Sequence, residues 1–498
     1  MSALPHGAII ASGRPESREC RIRATRGSRG EGGDMAAQTS DELLALFDTA
    51  QLNVRYWAIF VIMSAIIVLE FFDFGVVAFL LAVVGPAWHL TYGQSATILY
   101  SGGVGSIVGA LAFGAFSDAW GRKTSIVVGT FICGIGAALN GLVPDGQWVL
   151  FAALRFVVGV GLTAAVVPAL TIVVELTPTR HRTFVTSFYI VFATAGGFVA
   201  SLSSALLLGA IGWRGMAMLG IGVTFAGCVA WAFVPESVRW LAAKGRFAEA
   251  RAEVAKQLGM PLQSVPLPTV APASQPRAKL SELFEQPRMF FETIFIWGGA
   301  ATAAYGVYLW GPTVIALLQK IPVPQAAKYF VFVTGCGIIG KIVVSFLAPL
   351  IGRRVLGVIW GFAGAAALGA AAFYHGFAIA GVPVMVLLLS ASAFCIDGSF
   401  SNLAPYTVES YGVRLGARSS GLGQTANGVG KILGPLSIAV IAGTSNIISP
   451  LATEGALRGG FLFLAAGMAL VGLSFLFLGV ETHGRAMTVE AEASAEAR

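Results

Sequence analysis

Twelve runs of about twenty apolar residues punctuate this chain, and a run of that length has one main destination, a crossing of a lipid bilayer. They cover approximately 57–84, 95–116, 124–143, 148–173, 184–208 and 215–234, then 289–318, 326–350, 355–374, 380–405, 420–443 and 459–479. In hydrocarbon every backbone N–H and C=O must be satisfied within the protein, so each run is predicted to be a helix. The expected fold is an all-α membrane protein with twelve transmembrane helices in two groups of six. Composition excludes a soluble chain: 56% of the residues are hydrophobic and 11% charged, with a mean hydropathy of +0.78, whereas soluble domains carry roughly 25% charge.

The expected organisation is a polar tail over 1–51, a first half over 52–234, a central loop over 235–288, a second half over 289–480 and a tail over 481–498. With both termini cytoplasmic, the inner short loops hold Arg122, Lys123, Arg180, Arg182, Arg353, Arg354, Arg414 and Arg418, against Arg214, Lys320, Lys328 and Arg458 outside. This inside-positive bias sets the orientation in a cell membrane, expected to be a bacterial inner membrane. The net charge of +7 therefore does not imply a nucleic-acid partner. Residues 1–34 are polar and lack the apolar core of a signal peptide, and translation is expected to start at Met35. Cys133, Cys228, Cys336 and Cys395 lie in apolar runs and Cys20 in the tail, without metal-ligand spacing. They read as inert packing residues, and no cofactor is expected.

A repeat joins the two groups. Gly121-Arg-Lys recurs as Gly352-Arg-Arg, an offset of 231 (352 − 121), and Glu175-Leu-Thr-Pro-Thr-Arg180 recurs as Glu409-Ser-Tyr-Gly-Val-Arg414, an offset of 234 (409 − 175). Two homologous halves with a substrate held between them near the midplane are what such a repeat implies. The segment Gly114-Ala-Phe-Ser-Asp118-Ala-Trp-Gly121-Arg122-Lys123 is a tight polar hairpin between two spans. It resembles the loop between helices two and three of the major facilitator superfamily, which moves small solutes by alternating access. The resemblance implies a conformational latch built from Gly114, Asp118, Gly121, Arg122, Lys123, Glu175, Arg180, Glu409 and Arg414. Asp118 would accept hydrogen bonds from a helix N-terminus across the interface between halves. Ala119 stands where the family has a base, and Pro349 where the repeat would place a second aspartate.

Six ionisable residues stand out within spans: Glu70 and Asp73, Arg155, Lys341, Asp397 and Lys431. Each costs about 2.5–3.5 kcal/mol to insert, so each needs a partner, a wet cavity or a task. The three acids and three bases sum to zero and would neutralise one another around one central cavity. Glu70 and Asp73 share a helix face, where two carboxylates cannot both ionise cheaply, so one holds a proton. The competing reading is a salt bridge from one of them to Arg155. Asp397 is held in reserve as a further proton-coupling residue. Lys431, within Gly428-Val-Gly-Lys-Ile-Leu-Gly-Pro435, reads equally as anchor for a substrate carboxylate and as partner for Asp397. Lys341 is expected to snorkel to the interface. Arg155-Phe-Val-Val-Gly-Val-Gly161 resembles a second superfamily motif, in which an intramembrane arginine is tied to proton coupling.

Pro235-Glu236-Ser-Val-Arg-Trp-Leu, Gly245-Arg-Phe-Ala-Glu-Ala and Glu481-Thr-His-Gly-Arg485 resemble loop signatures shared by sugar porters and by aromatic-acid and organic-ion carriers. Glu70-Phe-Phe-Asp73-Phe is similar to helix 1 of aromatic-acid and metabolite proton symporters. Asp73 is the first choice for proton coupling, because it matches the second acid in both patterns. Tyr189, Tyr305, Tyr308, Asn402, Gln424 and Asn427 are candidate cavity residues, and with Lys431 they favour a planar carboxylate. The resulting expectation is a monomeric, lipid-embedded, proton-coupled symporter of a small organic anion, aromatic carboxylates included, with H+ as coupling ion. The alternatives are a sugar or other metabolite porter, which would call for a Q-Q-x-x-G pattern where Ala301-Thr-Ala-Ala-Tyr-Gly306 stands, and a drug or organic-ion exporter. No nucleophile elbow, metal cluster or phosphate-binding glycine loop points to an enzyme.

Overall fold

The computed structural model describes residues 52–268 and 280–482, together with Leu43 and Leu46. The expected Met35 start, most of the tails and Arg485 lie outside the described residues. Helices account for the spans, as the need to satisfy the backbone in lipid requires. In the first half these are α1 (Val54–Ala87), α2 (Tyr92–Trp120), α3 (Arg122–Asn140) and α4 (Trp148–Leu176). The helical run Thr179–Met218 breaks at Gly212, where φ is 67° and ψ 178°, a conformation that glycine adopts without steric cost. It therefore crosses once as α5 (179–211) and turns back as α6 (213–233), which includes the 3-10 turn Leu219–Ile221 and the helix Gly222–Phe233.

The central polar stretch carries two short helices, α7 (Val238–Ala243) and α8 (Phe247–Leu258). The second half begins with α9 (Pro287–Leu318), α10 (Val323–Ile351) and α11 (Arg353–Tyr374). Residues 378–383 form a two-stranded hairpin, β1 (Ala378–Ile379) and β2 (Val382–Pro383), so the tenth span starts at Val384 and not near 380. The run Val384–Ala442 breaks at Gly412 (φ 74°), giving α12 (384–411) and α13 (413–442), before α14 (Pro450–Phe477). Many of the helices begin ahead of their apolar stretch, as α1, α2 and α14 do, because their hydrogen bonds are internal and survive in water as well as in lipid.

Within each half the helices interlock through small residues. A Cβ on Gly105 would stand 2.0 Å from the Phe156 carbonyl oxygen, and one on Gly340 would stand 2.1 Å from that of Phe394, the close backbone approach that glycine permits. The halves meet chiefly along α1 with α9, α2 with α13, and α5 with α10. At one end, the Tyr92 face, they are sealed. Tyr92 and Gly93 donate backbone N–H bonds to Asn446 and Thr444 carbonyls at 2.9 Å each, and Ile448 N–H reaches the Leu90 carbonyl at 3.0 Å. The Tyr92 ring stacks on Trp310 with centroids 5.3 Å apart, and its hydroxyl meets Thr453 Oγ1 at 2.6 Å. A large apolar cluster drawn from both halves fills this end. Toward the opposite end, the Gly121 face, α2 and α13 part: Leu111 and Gln424 are exposed, and no described atom lies within 4 Å of where a Cβ on Gly114 or Gly421 would stand.

Candidate functional site

The six intramembrane charges do not share one cavity. Asp73 on α1 and Arg155 on α4 form an ion pair at 3.0 Å inside the first half, and neither side chain is more than 4% exposed. Glu70 lies one turn away with no accessible surface, and neither of its carboxylate oxygens has a partner among the described residues. Two nitrogens of Arg155, Nε and Nη2, also lack partners. Tyr189, expected in the cavity, is buried in this same half, where its hydroxyl donates to the Met63 carbonyl at 3.3 Å and its ring packs on Phe60.

A second pair sits in the other half. Lys341 does not snorkel: it is 5% exposed, and its Nζ lies 3.8 Å from Asp397 Oδ1. Asp397 Oδ2 accepts a hydrogen bond from the Tyr308 hydroxyl, and Oδ1 is approached by Thr194 Oγ1 of the first half at 3.4 Å. Gly337 makes room for this cluster, since a Cβ there would come within 2.2 Å of Asp397 Oδ2. With Asp397 taken by Lys341, its alternative pairing with Lys431 is not realised. Asn402 is likewise not in the cavity. Its amide donates to the Arg353 carbonyl at 2.9 Å, close to the Gly121 face.

Lys431, like Glu70, has no ion-pair partner among the described residues. Among the described residues no carboxylate lies within 4.0 Å of it. Its Nζ rests between two rings, 5.6 Å from the centroid of Phe74 on α1 and 5.5 Å from that of Tyr305 on α9. The rings meet edge to face at 5.5 Å. The lysine thus bridges the halves, and its backbone is held tight on both sides. A Cβ on Gly103 of α2 would approach Lys431 Cβ at 3.0 Å, and Gly430 and Gly434 press against α9. Asn427, one turn toward the Gly121 face, bonds Gln424 at 3.2 Å and lies within reach of the Tyr305 hydroxyl. Phe74, Tyr305, Tyr308, Thr194 and Lys431 are all half-buried, as expected for walls of a cleft. Chemically the cleft offers one cation, flat apolar faces and a more distant carboxylate. Phe74 and Thr194 were missed in the sequence because nothing in an apolar run says which way a phenylalanine or threonine faces.

The model of the Major Facilitator Superfamily matches residues 63–435. The chain belongs to this superfamily. A niacin transporter, NiaP, of Acinetobacter baylyi is 26% identical over 83% of this chain and 92% of its own length. A gallate transporter of Pseudomonas putida is 25% identical over 91% and 95%. The 4-hydroxybenzoate transporter PcaK of Pseudomonas aeruginosa is 25% identical over 74% and 82%. Among solved structures, the inward open conformation of the xylose transporter XylE from E. coli superposes with a TM-score of 0.66 at 17% identity, covering 88% of this chain and 99% of that one. These relatives are transporters, not enzymes.

This superfamily member carries its latch residues in a different arrangement from the one expected. Asp118 does not accept from a helix N-terminus. Its side chain is 63% exposed and pairs with Arg122 at 2.9 Å, within its own half. The acceptor at the start of α3 is Glu236, whose Oε1 takes the N–H groups of Arg122 at 2.8 Å and Lys123 at 3.2 Å. The orphan donors of a helix N-terminus and its partial positive charge favour a carboxylate there. Glu481 does the same for α11, accepting from Arg353 N–H at 3.1 Å. Glu175 accepts from Ser237, while Glu409 takes both Thr482 Oγ1 and Arg353 Nε at 2.7 Å. Glu236-Ser237 and Glu481-Thr482 are therefore the two copies of one device, a correspondence already present in the two sequence signatures. Arg180 is exposed, and the Arg414 side chain lies outside the described residues.

Proposed function

We propose that this protein is a proton-coupled symporter of a small aromatic carboxylate. The observation that carries this reading is the unpaired Lys431 ammonium between Phe74 and Tyr305. A cation without an internal counter-ion in a low-dielectric cleft calls for an anionic ligand, and flat rings on each side suit a planar one. Niacin, gallate and 4-hydroxybenzoate, for which three relatives are named, are all single rings bearing one carboxylate. This supports the same class here.

The proton belongs in the first half. Glu70 is sealed from water without a partner, and an isolated buried carboxylate is far cheaper as the neutral acid. Asp73 has the Arg155 guanidinium as its counter-charge. Loss of the proton from Glu70 would set a second negative charge beside that pair and bias the packing of α1, the helix that also presents Phe74 to the substrate. Substrate and proton thus act through one helix, Glu70 and Phe74 lying four residues apart on the same face. We read the 52–234 and 289–480 halves as the units that rock about the site. The basic Gly121 face is then cytoplasmic, the termini lie on that side of a bacterial inner membrane, and the cleft faces inward. One chain contains both halves and so suffices as a monomer.

The test is uptake of radiolabelled benzoate, 4-hydroxybenzoate, niacin and xylose into proteoliposomes, with and without an inward proton gradient. Gradient-driven accumulation of an aromatic acid is the expected result. Accumulation of xylose alone, or of the acids regardless of the gradient, would overturn the reading.

A further inference from the structure

We infer that Asp397, oriented by Tyr308, is a specificity-determining residue that accepts a hydrogen bond from a ring hydroxyl of the substrate, so that the site selects hydroxylated aromatic acids over unsubstituted ones. This rests on the aromatic-carboxylate reading above and names which members of that class the site takes. Tyr305 and Tyr308 lie three residues apart on one face of α9, an axial step of about 4.5 Å. Tyr305 touches Lys431, and Tyr308 bonds Asp397. The cation and the carboxylate therefore lie against successive tyrosines of one α9 face, and a ring spanning from one to the other would set its carboxylate at Lys431 and its far edge at Asp397.

Asp397 suits this task. Lys341 beside it supplies a counter-charge to its carboxylate form, which is an acceptor with no proton of its own. Oδ2 is committed to the Tyr308 hydroxyl, but Oδ1 is underused: its two neighbours, Thr194 at 3.4 Å and Lys341 at 3.8 Å, both exceed the usual hydrogen-bond length. The Thr194 contact also crosses between halves, so it is free to yield when they move. A phenolic O–H arriving at Oδ1 completes the carboxylate's shell, whereas a bare ring edge leaves it incomplete. A pyridine nitrogen, itself an acceptor, would face an acceptor, because the Tyr308 proton is already engaged.

The experiment measures dissociation constants of 4-hydroxybenzoate, benzoate and niacin by competition on the purified full-length protein. The unmodified protein is expected to prefer 4-hydroxybenzoate over the other two by about tenfold or more, the worth of one hydrogen bond to a charged group. Asp397→Asn should bring that ratio close to one. Since Asp397→Asn strands the Lys341 charge, the double variant Asp397→Asn with Lys341→Met, which stays neutral, is measured beside it and should show the same collapse. Lys431→Ala should weaken all three acids and leave the ratio standing. Equal affinities in the unmodified protein, or a ratio that survives in the double variant, would overturn the assignment of Asp397 alone. If none of the three acids binds, the aromatic-carboxylate reading falls and this inference falls with it.

Discussion

Asp73→Asn and Glu70→Gln are the same chemical change one helical turn apart, and their consequences should differ sharply. Asp73 supplies all the compensation that Arg155 receives from a side chain. One guanidinium nitrogen reaches it at 3.0 Å, while Nε and Nη2 have no other partner among the described residues, and both groups are nearly inaccessible. Removing one member of such a pair costs about 3–5 kcal/mol, because an uncompensated charge is left in a low-dielectric interior. Glu70 has no partner to lose, and glutamine reproduces the size and neutrality of the protonated acid, so this change should cost less than about 1 kcal/mol. The assay is the temperature at which each purified variant loses its monomer peak in detergent. Asp73→Asn should fall well below the parent, Glu70→Gln should stay close to it, and adding Arg155→Gln to Asp73→Asn should recover most of the loss. In proteoliposomes Glu70→Gln should abolish gradient-driven accumulation yet spare exchange at equal pH. If Glu70→Gln is as destabilising as Asp73→Asn, Glu70 is ionised in the folded protein and the assignment of the proton to it is refuted.

Lys431→Ala should weaken carboxylate binding at least tenfold with little change in thermal stability, while Lys431→Arg keeps part of the affinity through a displaced cation; unaltered substrate affinity in the alanine variant would make the lysine structural. Gly121→Ala should slow the transport cycle and destabilise by about 1–3 kcal/mol, because φ there is 104° and a Cβ would stand 2.1 Å from Glu236 Oε2. Gly114→Ala, with open space at that position, should change stability by less than about 1 kcal/mol on the same melting assay. Asp145, in the loop before α4, is held below the usual carboxylate range by hydrogen bonds from Arg214 and Trp88. A lowered folded-state value gives stabilisation that is present above the unfolded value, near 3.9, and is lost as pH falls through the folded one. Asp145→Asn should therefore flatten the acid limb of the melting temperature between roughly pH 5 and pH 3, a small effect because the group is exposed; an unchanged limb would refute the linkage.

Asp118 shows how a motif can be legible while its wiring is not. The sequence pattern identified a polar turn and a helix N-terminus awaiting a carboxylate. Local spacing cannot say which carboxylate arrives, and Glu236, 115 residues beyond Gly121 (236 − 121), is the one that does. The choice between Asp73 and Glu70 has the same character. Pattern resemblance favours Asp73, but Arg155 reaches that carboxylate and leaves Glu70 without a partner among the described residues.

What the sequence by itself determined follows from lipid being an apolar solvent: the helical class, the approximate positions of the spans, the two-fold repeat and the rarity of the buried charges. These are one-dimensional properties, since the membrane imposes a single length and a single polarity on every crossing. Tertiary structure decided the pairing. Arg155 with Asp73, Lys341 with Asp397, and Lys431 set between Phe74 and Tyr305 depend on the rotation of each helix about its axis. That rotation is set by close contacts between distant glycines and their neighbours, such as Gly337 beside Asp397 and Gly103 beside Lys431. Helices in lipid are surrounded by apolar groups on every side, so hydrophobic periodicity carries little information about which face turns inward. The site became visible only once the packing had fixed those faces.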